Sequence, residues 1–253
     1  MTFECIIYEK KEGVAVITLN RPQVLNAMNK RLWLDIEQAL ADAQEDEAVR
    51  VLVFTGTGRA FSTGADLKDS KGRSLKAYRD YLVHLQEISR QIIRYPKPTI
   101  AAVNGFALGS GYELALACDI RIAAEGAKFG SPEARVSSSV TGGAMRLVQD
   151  LVGPGKAREL LFTCEYIDGK EAERIGLVNK AVPAEALMEE TMAMAKKIAA
   201  NSLFSINLIK KGLNMASEVS LEALMDYEVE ACLATVSAPE RIEKLEEFAE
   251  RKK

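Results

Sequence analysis

The chain has 253 residues, of which 48% are hydrophobic and 27% are charged, and its formal net charge is −3. This length suits one large domain or two small ones, and the composition is that of an ordinary globular protein. The sequence pI near 5.5 argues against a general nucleic-acid binder, because such proteins are normally basic. The four cysteines lie far apart, which excludes zinc-type spacing, and the most apolar region is interrupted by charges and glycines, unlike a membrane span. The N-terminus lacks the pattern of a secretory signal, so we expect a cytoplasmic protein.

Strands and helices alternate along the first part of the chain. Short apolar runs predict strands, and these runs lie at residues 6–7, 14–19, 51–54, 99–103, 119–123, 177–178 and 181–182. Asn29 and Ser74 predict the N-caps of two helices, the second of about 20 residues, and a short helix is predicted at 110–117. From Pro154 onward the pattern is mostly helical. This order predicts a parallel or mixed sheet covered by helices, followed by a helical tail.

Two of the predicted strands lead into glycine-rich turns. Residues 51–64 and 99–111 both run from a strand into such a turn, and ligand sites in α/β sheets tend to lie beyond strand ends. The turn at 109–111 opens a helix, whose free amides can donate to a developing negative charge. Ala65 would supply a second amide that faces the one at Ser110. The spacing favours an oxyanion hole and a plain tight turn about equally, whereas the GxGxxG pattern of dinucleotide sites is missing.

Glu113 and Glu133 both follow residues typical of helix starts. Ser110 and Glu113 have the spacing of a capping box, and Ser131 before Glu133 predicts an N-cap. As a pair, the two carboxylates can hold one water between them, and sharing a site would make one an acid and the other a base. Both interpretations stay open on spacing alone. His84 lies inside a predicted helix without a Ser or Cys partner and is interpreted as structural.

Several segments together form a pattern that extends over essentially the whole chain. They are Asn20-Arg21-Pro22, Leu25-Asn26-Ala27-Met28, residues 60–68, residues 104–114, Cys118-Asp119, residues 129–133, Gly142-Gly143, Arg146-Leu147, Ala172 and Gly176-Leu177-Val178. In this combination and order the segments resemble the enoyl-CoA hydratase/isomerase family, also called the crotonase superfamily. The combination is far more specific than any single segment.

The resemblance implies an α/β fold, a crotonase-like spiral of strand–strand–helix repeats with a helical C-terminal oligomerisation region. Residues 1–182 would form the spiral core with the active site. Residues 183–253 would form the helical region of the same structural domain and pack in a homotrimer or a dimer of trimers. The implied substrate is an acyl-CoA, with coenzyme A as part of the substrate and no separate cofactor, metal, nucleic acid or membrane.

The resemblance also implies roles for individual residues. The backbone amides of Ala65 and Ser110 would form the oxyanion hole for the thioester oxygen. Glu113 would be the base on water, and Glu133 the proton donor to the α-carbon. The residues implied to bind the substrate and its CoA moiety are Leu25, Ala27, Thr63, Ala65, Asp66, Leu67, Lys68, Ser110, Phe248 and Arg251.

The predicted activity is hydration of a 2-enoyl-CoA, because both glutamates are present. A double-bond isomerase, which needs one well-placed glutamate, is an alternative. Dehydration of a substituted acyl-CoA, thioester hydrolysis and a non-catalytic acyl-CoA-binding protein are others. The chain departs from the family pattern at Ser110, at Tyr112 and in residues 136–143, a segment that lines the acyl pocket in relatives. A branched, cyclic or polar acyl group therefore stays open.

Overall fold

The computed structural model describes residues 2–70, 72–236, 238 and 241, and of Asp69 and Ser70 it describes the backbone. The strands are β1 (Ile6–Lys11), β2 (Val14–Leu19), β3 (Val51–Gly56), β4 (Ala60–Ser62), β5 (Thr99–Val103), β6 (Phe106–Leu108), β7 (Ile120–Ala124), β8 (Lys128–Gly130), β9 (Ile167–Asp168) and β10 (Lys180–Val182). The α-helices are α1 (Lys30–Glu45), α2 (Leu67–Ser70), α3 (Leu75–Ile93), α4 (Ser110–Ala117), α5 (Ala144–Thr163), α6 (Gly169–Arg174), α7 (Leu187–Ala199), α8 (Leu203–Met215) and α9 (Leu221–Val236). Short 3-10 helices lie at Pro22–Val24, Glu133–Val136 and Ala184–Ala186.

The strands of the described residues form two sheets. One has six strands in the order β1-β2-β3-β5-β7-β10, and the other has four in the order β4-β6-β8-β9. In the larger sheet β1 and β2 form an antiparallel hairpin, and the strands from β2 onward are parallel. Residues 51–54 of β3 are fully buried, as expected for a parallel strand covered on both faces.

Three successive strand pairs divide between the two sheets in the same way. The first strand of each pair, β3, β5 or β7, joins the larger sheet next to the previous one. The second strand, β4, β6 or β8, joins the smaller sheet, again next to its predecessor and parallel to it. The long helix after each pair is α3, α4 or α5. The chain thus winds as a spiral of strand–strand–helix units, which confirms the predicted fold class.

Helix α7 packs onto the larger sheet, against β2, β3, β5 and β7. Its buried residues Leu187, Thr191 and Ala195 follow one another at four-residue spacing, so they form a single face. This helix from the predicted C-terminal region is therefore part of the core. The domain boundary after residue 182 stays a prediction.

The predicted helix starts at Asn29 and Ser74 are confirmed. The Asn29 side chain accepts a hydrogen bond from the Leu32 amide at 2.9 Å, and Ser74 accepts one from the Ala77 amide at 3.2 Å. These caps could be read from sequence because a side-chain oxygen reaches an amide three residues ahead whatever the tertiary context.

Other boundaries were wrong. Phe61 and Ser62 belong to β4, a strand that was not predicted, and Leu177-Val178, predicted as a strand, lies outside β10. β4, β6 and β8 have three residues each, too few to show the alternation that marks a strand. Helix α5 starts at Ala144, well before Pro154. Within it Gly153 adopts a non-helical conformation, with φ 78° and ψ 161°, so the chain bends there and continues as a second helical stretch after the bend.

Candidate active site

The turns after β4 and β6 lie side by side, because the two strands are parallel neighbours. Gly64, with φ +96°, approaches the second turn so closely that an added Cβ would be 2.9 Å from the Leu108 carbonyl oxygen and 3.2 Å from the Ser110 amide. A Cβ on Gly111 would collide with the Ser62 carbonyl. Glycine at both positions is therefore what lets the two backbones meet.

Each of the two turns presents a backbone amide. Ala65 forms an isolated parallel bridge with Met28. In this bridge the Met28 amide donates to the Gly64 carbonyl at 2.8 Å, and the Asp66 amide donates to the Met28 carbonyl at 3.0 Å. The amide of Ala65 therefore points away from Met28. The Ser110 amide is at the first residue of α4, where amides have no partner within the helix. Neither amide has a hydrogen-bond acceptor among the residues that the structure describes.

Asn26 holds the first turn in place from the protein interior. Its fully buried side chain donates to the Ala60 carbonyl at 2.7 Å and accepts from the Arg21 amide at 2.8 Å. Its own carbonyl accepts from the Ser62 hydroxyl at 2.8 Å, and that hydroxyl accepts from the Gly64 amide at 3.2 Å. From sequence, Asn26 was only one member of the segment 25–28, with no role of its own. An asparagine between apolar neighbours was the available signal.

Glu113 lies in α4 and is 5% exposed. The N-cap of α4 is Gly109, without a side-chain cap, so the predicted capping box is wrong. Instead, one Glu113 oxygen accepts from the Thr141 amide at 2.5 Å and the other from the Thr141 hydroxyl at 2.8 Å. A Cβ on Gly142, whose φ is +60°, would lie 3.1 Å from Glu113 Cβ. The backbone before α5 thus encloses this carboxylate.

Burial raises the pKa of Glu113 above its ordinary value, and the charge of Glu133 adds to the increase. Hydrogen bonds from the amide and hydroxyl of Thr141, and a weaker one from Ser110, favour the ionised form and lower the pKa. Burial outweighs these bonds, so the net shift is upward. A carboxylate with a raised pKa is a stronger base than an exposed one.

Glu133 begins the 3-10 helix that follows β8. Pro132 occupies the N-cap and Ser131 does not cap the helix, so the predicted Ser131 cap is wrong. The Ser131 hydroxyl instead donates to Glu133 Oε2 at 2.7 Å. A Cβ on Gly109 would lie 3.0 Å from Glu133 Oε1, which places this carboxylate next to the turn that carries the Ser110 amide.

A cavity of about 390 Å³ brings these groups together. It is lined by Thr63, Gly64, Ala65, Leu67, Tyr78, Tyr81, Leu82, Leu85, Gly109, Ser110, Glu113, Pro132, Glu133, Val136, Ser138, Ser139 and Thr141. Both predicted glutamates and both predicted amide donors therefore face the same space. The arrangement can polarise a carbonyl group and can move a proton on either side of it.

Helix α3 supplies a wall of the cavity that the sequence analysis missed. Tyr78, Tyr81, Leu82 and Leu85 line it, and the two tyrosine rings have their centroids 6.2 Å apart. The Arg73 guanidinium carbon lies 3.9 Å from the centroid of the Tyr81 ring. The helical spacing of these four residues was visible in sequence, but it could not tell a pocket wall from a core contact.

Other predicted substrate-binding residues lie outside the cavity lining. The Leu25 carbonyl accepts from the Thr63 amide at 3.1 Å, and the Ala27 carbonyl accepts from Arg21. Asp66 forms an ion pair with Arg21 at 3.0 Å and, just before α2, accepts from the Lys68 amide at 3.1 Å. Phe248 and Arg251 lie outside the described residues.

Two residues singled out in the sequence do not contribute to the cavity lining. The Tyr112 ring is 2% exposed and packs edge-on against Phe129, with the centroids 6.5 Å apart. His84 Nδ1 lies 3.7 Å from Glu37 Oε1, which fits its structural interpretation. Among the described residues, no three His, Cys, Asp or Glu side chains group as metal ligands would, and no helix could cross a bilayer.

Comparisons of this chain with a family model, with curated relatives and with solved structures all lead to the same family. The family model described as enoyl-CoA hydratase/isomerase matches residues 9–253. A crotonyl-CoA hydratase from Syntrophomonas wolfei is 39% identical, and the alignment covers 100% of this chain and 98% of the relative. A short-chain-enoyl-CoA hydratase from Clostridium acetobutylicum is 35% identical, covering 100% and 97%. The solved enoyl-CoA hydratase from Bacillus anthracis superimposes with a TM-score of 0.94 at 33% identity, covering 98% of this chain and 97% of that one.

Proposed function

We infer, from the membership of this chain in the enoyl-CoA hydratase/isomerase family, that it is an enoyl-CoA hydratase. The reaction is the reversible addition of water across the 2,3 double bond of an enoyl-CoA thioester. The detailed proposal rests on one observation. Two carboxylates line the same cavity as two backbone amides, and neither amide has a hydrogen-bond acceptor among the described residues. This geometry supports the roles that we propose for individual residues.

The amides of Ala65 and Ser110 would donate to the thioester carbonyl oxygen. Withdrawing electrons through that oxygen makes the β-carbon electrophilic and stabilises the enolate that forms when water adds. A preorganised donor of this kind is worth roughly 3 kcal/mol in the transition state. Because both amides belong to turns fixed by close glycine contacts, they need not reorganise during the reaction.

The two glutamates would act on opposite ends of the double bond. Glu113 accepts a proton from water while the oxygen forms a bond to the β-carbon and the π electrons move toward the thioester. Glu133, as the acid of the pair, then donates its proton to the α-carbon and becomes a carboxylate, and the carbonyl is restored. Transfer of the proton that Glu113 took from water to Glu133 returns both groups to their starting forms. The raised pKa of Glu113 suits the role of base, and no metal or separate cofactor is required in this scheme.

The CoA moiety would enter past the loop that follows β4. Thr63 and Leu67 line the cavity there, and Leu67 is 73% exposed although it is apolar. Lys68 beside it is also exposed and can pair with a phosphate. We place Leu25, Ala27 and Asp66 in the same binding region, because Leu25 bonds directly to Thr63 and Asp66 starts α2.

We also propose a homotrimer or a dimer of trimers, assembled through the C-terminal helices. Helix α9 has exposed apolar residues at regular four-residue spacing, namely Leu221, Met225, Val229 and Leu233. Their exposed fractions lie between 49% and 70%. A continuous apolar stripe of this length on one helix face is typical of a surface that another protein covers.

The direct test follows the loss of the conjugated enoyl-thioester absorbance with short, long, branched and cyclic enoyl-CoAs. We expect hydration by the parent and a loss of about 100-fold or more in kcat for Glu113→Gln and for Glu133→Gln. Glu159→Gln, which removes a surface charge paired with Lys156, is the matched control and should hydrate like the parent.

Two results would contradict the proposal in different ways. If both active-site variants hydrated as fast as the parent, the two-carboxylate mechanism would be wrong. If the parent moved the double bond without adding water, and one glutamate sufficed for that, the protein would be an isomerase.

A further inference from the structure

Thr141 contacts Glu113 through two different groups. Its amide donates to Glu113 Oε1 at 2.5 Å, and its hydroxyl donates to Oε2 at 2.8 Å. One residue therefore satisfies both oxygens of a carboxylate that is 5% exposed. Such a two-point contact fixes the terminal torsion of the side chain, which would otherwise rotate broadly.

The backbone around Thr141 makes this contact rigid. The Thr141 carbonyl accepts from the Ala144 amide at 2.9 Å, which ties the residue to the first turn of α5. Next to it, Gly142 has φ +60°, and a Cβ there would lie 3.1 Å from Glu113 Cβ and 3.0 Å from Ser89 Oγ. The turn thus packs closely against both α3, which carries Ser89, and α4, which carries Glu113.

The surroundings of Glu113 provide little other support for a negative charge. Besides Glu113, the titratable side chains that line the cavity are Tyr78, Tyr81 and Glu133. Arg135 on the same 3-10 helix as Glu133 and Arg146 in the first turn of α5 lie outside that lining. Arg146 pairs with Asp150 at 2.6 Å, and the Arg135 guanidinium lies 5.2 Å from the Tyr166 ring centroid. Glu133 is a carboxyl group and brings no positive charge to the cavity. Hydrogen bonds must therefore do what a neighbouring cation would do elsewhere.

We propose that Thr141 is the positioning residue of Glu113, and that its hydroxyl keeps this carboxylate ionised and aimed at the attacking water. The inference rests on the proposed hydratase mechanism, in which Glu113 is the base. A base must be ionised before it can accept a proton. Burial is the main influence against the ionised state, and the hydrogen bonds from Thr141 are the largest influence in its favour.

Thr141→Val removes the hydroxyl and keeps the shape of the side chain and its amide. Since a hydrogen bond to a charged group is lost, we expect kcat for hydration to fall by about tenfold, with KM changed by less than about twofold. Because the lost bond favoured the ionised form, the acid limb of the pH profile should move to higher pH. Thr141→Ser, which keeps the hydroxyl, should restore both values.

Thr55→Val is the matched control for removing a buried hydroxyl. The Thr55 hydroxyl also makes one hydrogen bond, to the Ala102 carbonyl at 2.9 Å, but it lies between β3 and β5 rather than at the cavity. Its loss should lower thermal stability and leave the pH profile in place. In a Glu113→Gln background, Thr141→Val should cause no further loss of kcat, because the two residues act as one unit.

A direct titration separates this inference from the proposed function. The carboxyl carbon of Glu113 can be followed by NMR in protein labelled at glutamate, with Glu113→Gln to assign the signal. We expect its titration midpoint to move to higher pH in Thr141→Val, whether or not the protein hydrates any enoyl-CoA tested. An unchanged midpoint, or equal losses in Thr141→Val and Thr141→Ser, would overturn the role of the hydroxyl.

Discussion

Each of the two cavity glutamates accepts a hydrogen bond from a hydroxyl group and lies beside a glycine. Glu113 has Thr141 and the space beside Gly142, and Glu133 has Ser131 and the space beside Gly109. Both glycines have positive φ, which side chains with a Cβ rarely adopt. Backbone conformation and carboxylate placement are therefore coupled at both positions.

The burial of Glu113 has a consequence for stability that can be measured. Its pKa is raised in the folded protein, so folding favours the protonated form. The carboxyl therefore makes its full contribution to the free energy of unfolding below its ordinary pKa. That contribution is lost as the pH rises through the pKa that the group has in the folded protein. Glutamine does not ionise, so the stability of Glu113→Gln relative to the parent should increase from acid to neutral pH.

Chemical denaturation of the parent and Glu113→Gln across that pH range measures this difference. Glu159→Gln is again the control, because it makes the same substitution at an exposed carboxylate. A difference for Glu113→Gln that is constant across the same range would show that burial does not bias its protonation.

At the scale of elements, the three-residue strands β4 and β6 decide where the amides of Ala65 and Ser110 lie. Their parallel pairing brings the two turns to the same edge of the smaller sheet. Helix α3 covers that edge and helix α4 starts from it, so the cavity lies between two helices and two turns. The site therefore depends on the register of two very short strands.

Gly64→Ala tests this dependence. A Cβ there would be 2.9 Å from the Leu108 carbonyl oxygen, so the two turns would have to separate. Displacing one oxyanion donor should lower kcat/KM by about 100-fold or more in the hydration assay. The strain of alanine at positive φ should also reduce the free energy of unfolding by about 1 kcal/mol.

Gly13→Ala is the control for backbone strain alone. Gly13 has φ +79°, but its nearest atom, the Ala48 carbonyl oxygen, would be 3.6 Å from an added Cβ. This variant should lose similar stability and keep the parental kcat/KM. Equal catalytic losses in the two variants would mean that strain, and not the separation of the turns, impairs catalysis.

At the scale of the whole molecule, the apolar stripe on α9 distinguishes the C-terminal helices from the spiral. Tyr227 ties α9 to α8 through a hydrogen bond to the Leu208 carbonyl at 2.7 Å, whereas Val229 and Leu233 are each 58% exposed. If this stripe forms the subunit interface, two charges placed on it should separate the subunits, because burying an unpaired charge is costly.

Light scattering during gel filtration measures the outcome. The parent should have about three or six times the 27.7 kDa mass of one chain, and the double variant Val229→Glu, Leu233→Glu about one. Asp226→Asn with Glu230→Gln changes exposed polar positions of the same helix and should leave the mass unaltered. A monomeric parent, or a double variant of unchanged mass, would contradict assembly through α9.

The sequence by itself determined the local features of this protein and its family. The caps at Asn29 and Ser74, the long buried strands and the strand-to-turn order are consequences of neighbouring residues, so they could be predicted. The motif around the two glutamates likewise gave the family, which the comparisons confirm. Short strands such as β4 were missed because three residues carry too little pattern.

Only the tertiary structure decided what the two glutamates contact. The spacing of Ser110 and Glu113 predicted a capping box. In the structure Gly109 is the N-cap of α4, and the Glu113 carboxylate instead accepts hydrogen bonds from Thr141, which lies 28 residues further along the chain. Local sequence could not choose between these partners, because both satisfy a carboxylate equally well. The choice depends on how β6, α3 and the start of α5 pack, which brings distant residues together and buries the charge that they must then stabilise.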